Sequence, residues 1–229
     1  MRTAKAMSAA ALALTIIAAP VTAHAASAPV TIMPGDTINT NYVVATGTCT
    51  AAAPSRDANG NRYLLTAGHC VNGKLGELVG QPIYFKRTLI GHVARAQFQI
   101  VDYAVIKLLP NVIIGQNDVP HVAYLGQLNP GSKVCFHGTK SGVRCGKISQ
   151  LNELAFMRGA IVPGFVRGSS ATVRSIPGDS GSAVYNTEGV IGILSGGADG
   201  VSMYVPIKSV YDLSLIHISE PTRIGMISY

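Results

Sequence analysis

The stretch Ile176–Ile207 reads IPGDSGSAVYNTEGVIGILSGGADGVSMYVPI. After Ser180 come "SAVYN", "GVIGILSG" and "VSMYVPI", short runs rich in Val, Ile and Tyr and bounded by Gly, Asn, Asp or Pro. Runs of this length and composition, bounded by turn residues, are strands. The same pattern extends backward through "YVVATGT", "RYLLTAG", "PIYFK", "YAVIKL", "VAYLG", "SKVCFHG" and "GAIVPGFV". That spacing predicts an all-β barrel or sandwich. Asn59-Gly60, lying before "RYLLTAG", predicts a two-residue hairpin turn. Helical periodicity is confined to "PIKSVYDL", where Ile207, Val210 and Tyr211 recur at helical spacing and predict the start of a C-terminal helix.

At the other end, Arg2 and Lys5 precede an apolar run from Ala9 to Ala19 and the small-residue pattern Ala23-His24-Ala25. This is the pattern of a secretory signal peptide over residues 1–25, too short for a membrane span. Residues 26–212 are then expected to form one domain, large enough for a single β domain or two half-domains sharing a core. The net charge of +7 falls to +5 once Arg2 and Lys5 are removed. The other basic residues are scattered, apart from Lys86-Arg87, so nucleic acid is not an expected partner. No membrane partner is expected after signal cleavage, and the mature chain is read as an extracellular monomer.

Residues 213–229, "LSLIHISEPTRIGMISY", break the strand pattern. From Leu213 to Arg223 the string resembles a translation of the adapter used in transposase-based sequencing libraries, so no function is read from His217 or Glu220.

An oxidising compartment permits disulfides, and four cysteines allow three pairings. Nearest-neighbour pairing, Cys49 with Cys70 and Cys135 with Cys145, is expected. The absence of any C-x-x-C spacing speaks against zinc, and no metal or organic cofactor is implied.

Asp179 and Ser180 sit between glycines, and turn formation alone would account for such residues. A nucleophilic serine needs more: a base, a group that orients the base, and N–H donors for an oxyanion. His69 in "LLTAGHC" is the candidate base, because Ala67-Gly68 turns the chain sharply and Cys70 tethers the turn. His92, His121 and His137 are read as surface histidines. Asp102 in "QIVDYAVIKLL" is the candidate orienter, since an acid leading into an apolar strand is costly unless paired. Asp36, Asp57, Asp118 and Asp199 lie in polar turns.

In that order, "TAGHC", "DYAVIKL" and "PGDSGS" resemble the trypsin/chymotrypsin-like serine endopeptidases, particularly their secreted actinobacterial branch. The resemblance runs from about Val43 to Ile207. It implies a double six-stranded antiparallel β-barrel with the active site between the barrels, a protein or peptide substrate, and a catalytic set of His69, Asp102 and Ser180. The N–H groups of Gly178 and Ser180 would form the oxyanion hole, and Ser195, Gly196 and Gly197 the strip that pairs with substrate. Arg174 stands at the position of the specificity-pocket base, where a guanidinium would favour an acidic or small P1 side chain. An α/β-hydrolase esterase is the rival enzyme class, but it requires the opposite triad order and a glycine where Ser182 stands.

Three departures from the family pattern matter. Ser182 replaces a glycine, Ile176 replaces a cysteine that braces the pocket, and Phe136 occupies the place of the basic residue that pairs with the aspartate before the nucleophile. His137 or Lys140 are candidates to take over that pairing. A catalytically silent binding protein on the same fold is the alternative these departures raise.

Overall fold

The computed structural model describes residues 28–41, 46–71, 79–158 and 163–214. The expected signal peptide lies outside the described residues, as does the anomalous tail from residue 215 onward.

The N-terminal half contains β1 (Val30–Ile32), β2 (Thr37–Asn41), β3 (Thr46–Thr50), β4 (Pro54–Arg56), β5 (Arg62–Thr66), β6 (Pro82–Phe85), β7 (Thr88–Gln99), β8 (Val101–Leu108) and β9 (Val112–Ile114). β1 pairs in parallel with β9, and the others form a seven-stranded antiparallel sheet in the order β3-β2-β6-β7-β8-β5-β4. Its two edge strands are one bent segment. Ala51 N–H donates to Asp36 beside β2, whereas Ala52 N–H donates to Leu65 in β5. The chain from Thr46 to Arg56 thus stitches both edges together, and counting it as a single strand gives the expected six.

The C-terminal half has β10 (Lys133–Gly138), β11 (Gly142–Arg158), β12 (Pro163–Ala171), β13 (Ala183–Tyr185), β14 (Val190–Ala198) and β15 (Val201–Pro206), followed by helix α1 (Ile207–Ser214). These six strands close into a barrel in the order β10-β11-β12-β15-β14-β13. In α1, Ile207 and Val210 are buried, which is why the helix forms where apolar residues recur at helical spacing.

Strand alternation follows the pleat in β10 and in β12 as far as Gly168, where buried residues alternate with exposed or half-buried ones. β8 departs from it. Every residue from Val101 to Ile106 is buried, because the far face of this strand meets β12, β14 and β15 of the other barrel. Between the barrels, Ile100 N–H donates to Phe165 C=O and Arg167 N–H to Ile100 C=O, both at 2.7 Å. Ile100 accepts a left-handed φ of 67° there, a strained state for a β-branched residue.

The hairpin joining β4 to β5 differs from the sequence expectation. Its loop spans residues 57–61, because Asp57 accepts from the N–H groups of Asn59 (3.0 Å) and Asn61 (2.8 Å) and so holds a wider turn. Gly60 supplies the positive φ of 80° within it.

Candidate active site

His69 lies in a single 3₁₀ turn, Gly68–Cys70, directly after β5. Only a glycine fits at 68, since a Cβ there would lie 1.8 Å from Gln97 O. Close packing onto β7 and β8 brings the next residue over Asp102. One carboxylate oxygen accepts from His69 backbone N–H at 2.8 Å, and the other lies 2.8 Å from the ring Nδ1. Asp102 has no solvent exposure, and the His69 side chain has 11%.

These contacts fix the chemistry of the ring. Burial pushes the His69 pKa down, but the Asp102 charge and hydrogen bond outweigh it and leave the pKa above the ordinary imidazole value. With Nδ1 facing the carboxylate, the neutral ring carries its proton there and presents Nε2 as the basic lone pair. Phe98 packs edge-on at 5.7 Å between ring centroids and limits rotation.

The covalent frame matches the nearest-neighbour reading, with disulfides Cys49–Cys70 and Cys135–Cys145. Cys49, His69 and Cys70 place donor atoms within 4.8 Å of one another. The two sulfurs are bonded to each other, so they offer no thiolates to a metal.

Ser180 is delivered by the turn after Ile176. Asp179 N–H donates to Ile176 C=O at 3.0 Å, and Gly178 takes a φ of 105° open to glycine alone. The Ser180 carbonyl accepts from Thr50 N–H at 2.8 Å, which docks the turn beside the Cys49–Cys70 bridge and hence beside His69. A Cβ at Gly181 would lie 2.1 Å from Thr66 Oγ1, so the turn approaches β5 as closely as glycine allows. Among the described residues the N–H groups of Gly178 and Ser180 have no acceptor, while those of Asp179, Gly181 and Ser182 do.

The Ser180 hydroxyl donates to Ser195 C=O at 3.2 Å, and no hydrogen bond joins it to His69 among the described residues. Two members of the expected triad are therefore in direct contact, and the third has its hydroxyl turned to β14. Ser182 is fully buried without penalty, its hydroxyl donating to Asp179 C=O.

Ser195 is buried in β14, and Gly197 is exposed farther along the strand. Arg174 is exposed and lines a cavity of about 510 Å³ together with Ser175, Ile176, Pro177, Ala198 and Asp199. The remaining histidines stand apart. His92 is exposed on β7, burial lowers the pKa of His121, and His137 binds Asp118 through Nδ1 at 2.8 Å.

Thr50 carries no motif, yet it touches the site three ways. Its N–H bonds Ser180 C=O, its hydroxyl donates to Gly178 C=O at 2.9 Å, and its Oγ1 accepts from Thr139 N–H at 3.1 Å. Its place next to Cys49 was the sole sequence hint.

The family model for trypsin matches residues 35–214. The chain belongs to the trypsin family. It is 26% identical over 167 residues to serine protease 2 of Streptomyces fradiae, a match spanning 69% of this chain and 91% of that one. Among solved structures it resembles Thermobifida fusca protease A (TM-score 0.68, 22% identity, 83% of this chain and 99% of that one). It also resembles the Nocardiopsis protease (TM-score 0.66, 23% identity, 80% and 95%). As a trypsin-family member the chain is a serine-type peptidase with a chymotrypsin-like double β-barrel, and it acts on peptides.

Proposed function

We propose that the protein is a secreted serine endopeptidase that cleaves peptide bonds through an acyl-enzyme at Ser180. The observation that carries this reading is the double grip of Asp102 on His69, through backbone N–H and ring Nδ1, which leaves Nε2 as a fixed base. In the reaction Ser180 Oγ leaves the Ser195 carbonyl, gives its proton to His69 Nε2 and attacks the scissile carbonyl carbon. Asp102 stabilises the imidazolium. The Gly178 and Ser180 N–H groups receive the oxyanion, each worth about 3 kcal/mol of barrier. His69 then protonates the leaving amine, the peptide C–N bond breaks, and a water activated by the same ring hydrolyses the ester.

Substrate is read as an added strand along Ser195, Gly196 and Gly197, where glycines leave room for its side chains. In the adjoining cavity Arg174 favours an acidic or small P1 residue. Secretion is supported by the signal-like start and by two disulfides.

A peptide-library digest tests both levels. Cleavage abolished by Ser180→Ala, with acidic or small P1 residues enriched, is expected. Undiminished cleavage by that variant overturns the mechanism, and a preference for Lys or Arg at P1 overturns the role of Arg174.

A further inference from the structure

Asp179 takes no part in the steps above, yet it is fully buried beside the nucleophile. A carboxylate removed from water demands compensation. It receives four hydrogen bonds: Lys140 N–H (3.1 Å) and Ser141 N–H (3.0 Å) donate to Oδ1, and Ser141 hydroxyl and Ile176 N–H (3.0 Å) donate to Oδ2. No basic side chain among the described residues forms an ion pair with it. Neither cation suggested by the sequence serves. His137 is turned to Asp118, and Lys140 contributes its backbone amide.

The receptor is a single turn between β10 and β11. Gly138 opens it, because a Cβ there would lie 2.3 Å from Asp179 Oδ1. The Cys135–Cys145 disulfide closes the same hairpin. Thr139 N–H bonds Thr50 Oγ1, whose hydroxyl holds Gly178 C=O, so the turn also reaches the oxyanion loop by a second route.

We propose that the Gly138–Ser141 turn is a neutral receptor for the Asp179 carboxylate and that Ser141 is a positioning residue, setting the Gly178 and Ser180 amides through Asp179. This rests on Ser180 being the nucleophile. Ser141 supplies two of the four donors and the sole side-chain one. A hydrogen bond to a buried charge is among the stronger kinds. Losing its hydroxyl loosens the loop that stabilises the transition state while leaving the substrate strip intact, so the effect falls on kcat.

The experiment compares the full chain with Ser141→Ala, Ser141→Thr and His137→Gln. The readouts are kcat and KM on a peptide substrate and the rate of fluorophosphonate labelling. Ser141→Ala is expected to lose at least tenfold in kcat and labelling rate with KM within twofold of wild type. Ser141→Thr, which keeps the hydroxyl, is expected within about threefold of wild type, and it decides the matter if the alanine variant does not fold. His137→Gln is expected within twofold. Wild-type kinetics from Ser141→Ala, equal losses from threonine and alanine, or a large kcat loss from His137→Gln overturns the proposal. A wild type that is not labelled at Ser180 overturns the protease reading itself, a separate outcome.

Discussion

The two barrels bring their halves of the site to different states of readiness. The N-terminal barrel holds a finished pair, with the Asp102 carboxylate bonded twice to His69 and Phe98 against the ring. The C-terminal barrel holds Ser180 on a turn whose backbone is tightly fixed but whose hydroxyl rests on Ser195 C=O. The proposed base is held by two bonds from one carboxylate, whereas the hydroxyl of the proposed nucleophile is bonded within its own barrel. Sensitivity should therefore be electrostatic in the first barrel and geometric in the second.

Asp102→Asn tests the electrostatic half and carries the largest expected effect. On the triad template, kcat should fall roughly 10⁴-fold. The acid limb of the pH–rate profile should also move to lower pH, because burial then acts on His69 without an opposing charge. Stopped-flow or initial-rate profiles check both, and an unchanged acid limb would separate the ring from the carboxylate.

Removing the covalent frame is expected to act next. Replacing Cys49 and Cys70 together by alanine opens a loop of 21 residues and should cost about 3 kcal/mol of stability, read by denaturant unfolding. It also frees the segment that presents His69 to Ser180, so activity should fall more than stability alone explains.

Thr50→Val probes the geometric half at similar volume. It deletes the hydroxyl bonds to Gly178 C=O and from Thr139 N–H, and a loss of about tenfold in kcat is expected from leaving such groups unpaired. Unchanged kcat would show that the Ser180 turn needs no support from the Thr50 hydroxyl beyond the Thr50 backbone bond to Ser180 C=O.

The smallest effect is on pH-dependent stability. His69 has a raised folded pKa, so its pairing contributes stability that is fully present below the ordinary imidazole range. That contribution is lost as pH rises through the raised value. The melting temperature of wild type relative to His69→Gln should fall across that window, and a rise would reverse the assigned sign.

What the sequence made legible follows the same division. His69 and Asp102 were readable because each violates its local setting: a histidine in a glycine-made turn, and an acid leading into an apolar strand. The proposal for Ser180 rests on its glycine neighbours and on motif order. The receptor for Asp179 was not, because three of its four donors are backbone amides, which no letter encodes. The sequence offers His137 and Lys140 as cations for Asp179, whereas the one side-chain donor to it is the small hydroxyl of Ser141. The bent segment from Thr46 to Arg56 was likewise hidden, since its two halves bond to different strands although its composition does not change. Asn59-Gly60 alone suggests a two-residue turn, but Asp57, two residues before Asn59, draws the loop to its own carboxylate.

The central claim is that Ser180, His69 and Asp102 act as one unit. Mapping the fluorophosphonate adduct by peptide mass, with the labelling rate followed against pH in wild type and His69→Ala, tests it most directly. The account predicts an adduct on Ser180 alone, forming along the His69 titration in wild type and slowed by several orders of magnitude in the variant. An adduct on another residue, or a labelling rate indifferent to loss of the imidazole, would contradict it.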